Sequence, residues 1–306
     1  MELIFWCIIF IVALCVLLKS ADYFLASCEK IGLFYGLPKF IIGVTLVAIG
    51  TSLPELVTGI AAILHNESNI LFSNVIGSNI ANVFLVLGIA AIISKKLKMG
   101  FDLTKVDLPV FIASAGLIWI ISIDGSITLN ESLFLVLMLL AYLHYVSLTH
   151  RNNNNIQIKI SKIDYIVLPI SALLIWFSAD YLISAVISIS KILNISSSLL
   201  AITAVAIGTS LPELIVSVIA AQKRKFDMAL GNVLGSNIFN SLAVVGIPGL
   251  IETINVSAID KNIGLPFMLL ATIVYTFLAY DLEIEQNEGL VLLVCYGLFL
   301  SMLVFG

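Results

Sequence analysis

The chain has 306 residues, of which 60% are apolar and 11% charged, with a mean hydropathy of +1.14. That is far outside the soluble-globular range and reads as an all-α polytopic membrane protein. Its extramembrane segments leave no room for a soluble catalytic, nucleotide-binding or regulatory domain, and the net charge of −4 says little as a total.

A membrane-spanning helix needs roughly 20 apolar residues, and about ten such runs can be laid along the sequence. In chain order they are Leu3–Leu25, Pro38–Leu64, Ile70–Ile93, Val106–Ile123, Leu129–Leu148, Ile163–Ser190, Ser196–Ala221, Phe226–Ile251, Ile259–Tyr280 and Glu288–Val304. The opening "MELIFW" carries an acid and no basic segment, and the first run lacks a small-residue cleavage site, so no removable signal peptide is expected. Cys7, Cys15, Cys28 and Cys295 have no metal-like spacing and read as small packing residues.

Loop charge gives the orientation. With the amino terminus outside, the inside loops collect Lys30, Lys39, Lys95, Lys96, Lys98, Lys105, Arg151, Lys159, Lys162, Lys223, Arg224 and Lys225, and the outside loops only Lys191 and Lys261. This asymmetry predicts both termini outside. The last inside loop departs from the pattern, with Asp281, Glu283 and Glu285 and no base.

A shift of 158 positions superposes the two halves. "TLVAIGTSLPEL" (45–56) meets "TAVAIGTSLPEL" (203–214), "FSNVIGSNIAN" (72–82) meets "LGNVLGSNIFN" (230–240), and "SADY" at Ser20 meets "SADY" at Ser178. Each half then holds five spans, and the odd number turns the second half upside down in the membrane. The predicted organisation is ten transmembrane helices as two inverted five-helix repeats: residues 1–148, a polar inside linker at 149–162, and 163–306. Inverted repeats place substrate sites at the midplane between the halves.

The shared motifs put polar chemistry at that depth. Pro54 and Pro212 remove the amides that would bond the carbonyls of Gly50 and Gly208, an expected break in each helix. Glu55 lies one turn from Thr51, and the second half repeats this with Glu213 and Thr209. A carboxylate at the bilayer centre costs at least about 2.5 kcal/mol. No Lys or Arg lies in the interior of the second, third, seventh or eighth span to offset two of them, which leaves protons or a bound cation. Asn74, Ser78 and Asn82 form a helical stripe, repeated by Asn232, Ser236 and Asn240. Gly77 and Gly235 are expected to let helices approach closely there. With Ser52 and Ser210, the donors are all oxygen, which suits hard cations such as Ca2+ and not soft metals. The three histidines support neither a metal site nor a catalytic pair. Asp22 and Asp180, in the repeated "SADY", read as structural, capping helices or pairing with a base such as Lys19.

At these residues the sequence resembles the cation/Ca2+ exchanger superfamily, in its sodium/calcium exchanger branch of the prokaryotic type without a regulatory domain. The doubled "GTSLPE" motif, with "GSNIAN" and "GSNIFN", carries the likeness across nearly the whole chain. The proton/Ca2+ branch has a Gly-Asn-x-x-Glu motif instead, which favours Na+ as counter-ion, with H+/Ca2+ antiport as the alternative. The resemblance implies a central Ca2+ site from Glu55, Glu213, Thr51 and Thr209. It further implies flanking Na+ sites from the Ala48 and Ala206 carbonyls with Ser52, Ser210, Ser78 and Ser236, with Asn82 and Asn240 across from the carboxylates. Relatives often carry Asp where this chain has Asn240, so K+ co-transport is not expected. The expected activity is a secondary antiporter and not an enzyme, working by alternating access with the first and sixth spans as the gate. It needs no cofactor and no nucleic acid, only Na+, Ca2+ and the bilayer, and is expected as a monomer in the plasma (inner) membrane.

Overall fold

The computed structural model describes residues 2–64, 68–98, 100, 107–149, 160–193, 210–281 and 283–305. Among them, eight helices are long and apolar enough to cross a membrane: α1 (Glu2–Phe34), α2 (Lys39–Leu64), α3 (Ser68–Ser94), α5 (Leu129–Val146, continuing to Thr149), α6 (Lys162–Leu182, continuing to Ile192), α8 (Phe226–Gly249), α9 (Asp260–Tyr280) and α10 (Gln286–Phe305). Two shorter apolar helices are α4 (Asp107–Ile121) and α7 (Leu211–Gln222). Each falls on a run expected from hydropathy. The first half of the predicted seventh span, with Gly208, lies outside the described residues.

The first helix is longer than expected. Its 33 residues extend to Phe34, about 50 Å at 1.5 Å per residue, and it packs along α6, which is 31 residues long. Lys30 on α1 bonds Asp164 at the start of α6 at 2.9 Å. Asp164 also accepts from the Ser161 amide, closing a capping box that starts α6. The outer faces of α1 and α6 carry exposed Ile8, Val12, Leu173 and Phe177, as helices bordering lipid do.

The interior is α8, whose membrane window is 94% buried, packed on α2, α3 and α7. It crosses α2 backbone to backbone. A Cβ placed at Gly235 would lie 2.3 Å from the Val44 carbonyl oxygen, and one at Gly231 would lie 2.5 Å from that of Phe40. The close approach expected of Gly235 is therefore real. Its counterpart Gly77 differs: among the described residues nothing lies within 4 Å of a Cβ built there.

The irregular turn of α2 is not where proline chemistry put it. The helix runs on through Pro54 from Ala48 to Leu64, and the distortion lies upstream, in a π-helical turn at Gly43–Val47. Pro212 sits in the first turn of α7, where a missing amide costs nothing. Further π turns open at Asn82–Leu87 in α3, Asn240–Val244 in α8 and Asp260–Gly264 in α9.

Two small antiparallel ribbons tie the loops at opposite ends. β1 (Lys96–Lys98) pairs with β4 (Glu283–Glu285), and β2 (Ser126–Ile127) pairs with β3 (Ile254–Asn255). The first ribbon explains the acidic loop at 281–285. Glu283 and Glu285 face Lys96, with Glu283 in direct ion contact and Glu285 at 3.8 Å, and the Glu283 bond raises the Lys96 pKa. Asp22 pairs with Lys223 at 2.8 Å and not with Lys19, whereas Asp180 is exposed.

Candidate functional site

The predicted site residues converge where α2, α3, α7 and α8 meet. Thr51, Ser52 and Glu55 lie on the buried face of α2, and Ser210 and Glu213 at the start of α7. Ser78 and Asn82 come from α3, Ser236 and Asn240 from α8, and all are buried. Ala206 and Thr209 lie outside the described residues.

Contacts between the halves join part of this set. Ser52 Oγ donates to Glu213 Oε1 at 2.8 Å. Thr51 Oγ1 lies 3.3 Å from Asn232 Oδ1 and 3.5 Å from Ser236 Oγ, and 3.2 Å from the Ala48 carbonyl oxygen one turn back.

The rest of the set is distinguished by what it lacks. Among the described residues, ten buried side-chain polar atoms have no hydrogen-bond partner, and eight belong to predicted site residues: both oxygens of Glu55, Oε2 of Glu213, Oγ of Ser210 and both amide atoms of Asn82 and Asn240. Leaving a buried polar group unpaired costs about 1–3 kcal/mol each, more if charged, so such a concentration marks a place built to receive a polar ligand. Its chemistry is oxygen-rich and anionic. Among the described residues no cluster of three or more His, Cys, Asp or Glu forms, so a cation here would be held by two carboxylates with hydroxyls, amides and carbonyls. The π turns reinforce this, because two of them start at Asn82 and Asn240, where i→i+5 bonding displaces backbone carbonyls.

The residues 5–148 and 163–305 match the sodium/calcium exchanger protein family. The chain belongs to that family. Among curated relatives, the exchanger is 33% identical to the sodium/calcium exchanger MaX1 of Methanosarcina acetivorans, over 97% of this chain and 98% of that one. It is 28% identical to the inner membrane protein YrbG of Escherichia coli, over 94% and 92%. A solved structure of the sodium-calcium exchanger NCX_Mj, soaked with zero Na+ and Ca2+, aligns with a TM-score of 0.86 at 28% identity, over 98% of this chain and 99% of that one.

Around these residues lie buried polar groups that the repeat comparison did not select. Ser217, fully buried on α7, accepts from Asn232 Nδ2 at 2.9 Å. Asn79 Nδ2 donates to Ser241 Oγ at 2.9 Å, joining α3 to α8. Ser217 and Ser241 correspond by position to Gly59 and Val83. A search for residues shared by both halves is blind to them. Asp260, another buried carboxylate, borders a cavity of about 230 Å3 with Ser73, Asn74 and Ser78. Its Oδ2 accepts from Ser73 at 2.7 Å and Ser257 at 2.6 Å, and its amide bonds Ser257 Oγ. It is thus satisfied as a helix cap.

Proposed function

We propose that this membrane protein exchanges Na+ for Ca2+ by alternating access, through a midplane site of Glu55, Glu213, Thr51, Thr209, Ser52, Ser210, Ser78, Ser236, Asn82, Asn240 and the Ala48 and Ala206 carbonyls. The carrying observation is the pair of fully buried carboxylates with three of four oxygens unpartnered and no basic group bonded to them among the described residues. Such charge is tolerable in a bilayer when a cation offsets it. The site binds one Ca2+ or Na+ ions in competition, and an empty site, carrying uncompensated charge, rarely changes sides. Each crossing is therefore coupled to a bound ion. With an inward Na+ gradient, Ca2+ leaves the cell. The names of MaX1 and NCX_Mj support the pair of ions.

The architecture behind this is ten spans in two inverted repeats. The shift that superposes the motifs also carries the π turn at Asn82 onto that at Asn240, and the ribbon β1–β4 onto β3–β2 at the other end of the bundle. An equal device at opposite ends is what an inverted repeat produces. Both termini lie outside, in the plasma (inner) membrane, following the basic inside loops, and the chain works as a monomer.

The gate is α1 with α6. Lys30–Asp164 joins the two to each other, whereas Asp22–Lys223, Glu29–Lys225 and Glu29–Lys39 join α1 to the core. Sliding breaks the second group only. In a background lacking the four cysteines, joining Glu29→Cys to Lys225→Cys with a bis-methanethiosulfonate reagent long enough to replace the Glu–Lys pair is expected to stop exchange, with recovery on reduction. Undiminished flux in the fully cross-linked protein would contradict this gate.

Exchange of three Na+, and not two, for one Ca2+ moves one net charge inward as Ca2+ leaves, so its rate responds to membrane voltage. The test is Ca2+ flux in proteoliposomes whose potential is set by K+ and valinomycin, with the Na+ gradient fixed. An inside-positive potential that accelerates Ca2+ efflux coupled to Na+ entry would refute the charge assignment. Flux that follows a pH gradient without Na+ would replace Na+ with H+ as the counter-ion.

A further inference from the structure

We propose that Ser217 is a positioning residue that sustains the observed orientation of the Asn232 amide and makes the two halves of the cation site unequal. The inference rests on the cation-exchange reading and concerns residues outside the predicted ligand set.

The relay runs from Ser217 through Asn232 and Thr51 to Ala48. Ser217 lies one turn beyond Glu213 on α7 and is fully buried, as is Asn232. Asn232 Nδ2 donates to Ser217 Oγ at 2.9 Å, which turns Oδ1 towards Thr51 Oγ1 at 3.3 Å. An amide oxygen only accepts, and Thr51 has one proton to give. Given to Asn232, that proton leaves the Ala48 carbonyl, 3.2 Å from Thr51 Oγ1, free of it. Both the carbonyl and the Thr51 lone pairs then serve as oxygen ligands.

The flipped amide does the opposite. Its Nδ2 would donate to Thr51 Oγ1, occupying a lone pair and sending the Thr51 proton to the Ala48 carbonyl. A hydroxyl can accept from Nδ2 or donate to Oδ1, so Ser217 satisfies either orientation and thereby permits the observed one. With its hydroxyl removed, the observed orientation leaves a buried N–H group without that partner, an expensive defect. The flipped orientation satisfies the N–H at Thr51 and leaves a carbonyl oxygen unpaired, the more tolerated defect. Removing the Ser217 hydroxyl therefore turns the site towards the form that binds cations poorly.

The serine has no counterpart in the first half. The shift of 158 places Gly59 against Ser217 and Asn74 against Asn232. Gly59 has no hydroxyl, and Asn74 is half-buried at the edge of the cavity that Asp260 borders. The two positions are thus unequal in sequence, and only the Asn232 side has a serine one turn beyond its carboxylate.

The experiment measures equilibrium binding of Ca2+ alone to the purified full-length protein, with Na+ displacement, Na+-driven exchange and thermal melting alongside. Ser217→Ala is expected to raise the half-saturating Ca2+ about five-fold, the equivalent of one net hydrogen bond, while keeping the maximal exchange rate and melting temperature. Ser217→Cys, which keeps the shape with a larger and weaker acceptor, should shift affinity in the same direction. In the Asn232→Ala background Ser217→Ala should add nothing, because the two act through one amide. Unchanged affinity in Ser217→Ala, additive effects in the double variant, or a parallel fall of rate and melting temperature would each overturn the proposal. Absence of Na+-displaceable Ca2+ binding in the wild type would instead refute the exchange reading beneath it.

Discussion

Glu55→Gln and Glu213→Gln are each expected to reduce Na+-driven Ca2+ flux by at least about 100-fold, above the range for losing a residue that merely supports a metal ligand. The substitution keeps the shape and removes the charge. At Glu213 the remaining carbonyl oxygen can still accept from Ser52 Oγ, which now bonds Oε1 at 2.8 Å. At Glu55 neither oxygen has a partner to lose among the described residues. Folding should therefore survive, and without ions each variant should melt no lower than the wild type, since an uncompensated buried charge is gone. The two proteins then part on adding Ca2+. A ligand at 100 times its Kd stabilises the folded state by about 2.7 kcal/mol, so the wild type melts higher with Ca2+ and the Gln variants do not. Wild-type flux in either variant would remove that carboxylate from the site.

Gly235→Leu is expected to have the second large effect, on assembly. A Cβ at this position lies 2.3 Å from the Val44 carbonyl oxygen and 2.6 Å from its Cα. Those are backbone atoms, which no rotamer change moves. The side chain would force apart α2 and α8, the helices that bring Thr51 to Asn232 and Ser236. Overpacking typically costs 1–3 kcal/mol, occasionally more, and a whole Leu against backbone belongs at the upper end. Size-exclusion chromatography should show aggregated protein, and the remaining folded fraction should melt lower and transport poorly. Gly297→Ala is the control, because Gly297 is exposed on α10 with nothing within 4 Å of its Cβ position among the described residues. A monodisperse Gly235→Leu protein with normal flux would show that the crossing is looser than this packing requires.

Hydropathy located the helices because a bilayer imposes one length and one composition on each. The doubled motifs located the carboxylates and hydroxyls because both halves carry them. Neither signal reaches a π turn, which depends on i→i+5 bonding and packing. Hence Pro54 attracted the expected break, while the distortions lie at Gly43–Val47, Asn82–Leu87, Asn240–Val244 and Asp260–Gly264. The acidic loop at Glu283 and Glu285 looked anomalous until the chain brought Lys96 beside it, a contact between distant segments that local charge counting does not see. Asp22 finds Lys223 for the same reason. Ser217 was hidden differently, because its counterpart is Gly59 and the repeat filters out what only one half contains.

The central claim is obligatory exchange at the paired carboxylates. Its most direct test is uptake of radioactive Ca2+ into Na+-loaded proteoliposomes diluted into Na+-free buffer at matched pH, with Glu213→Gln alongside. The prediction is uptake that requires internal Na+ and vanishes in the variant. Uptake in the wild type that is indifferent to internal Na+ would contradict it.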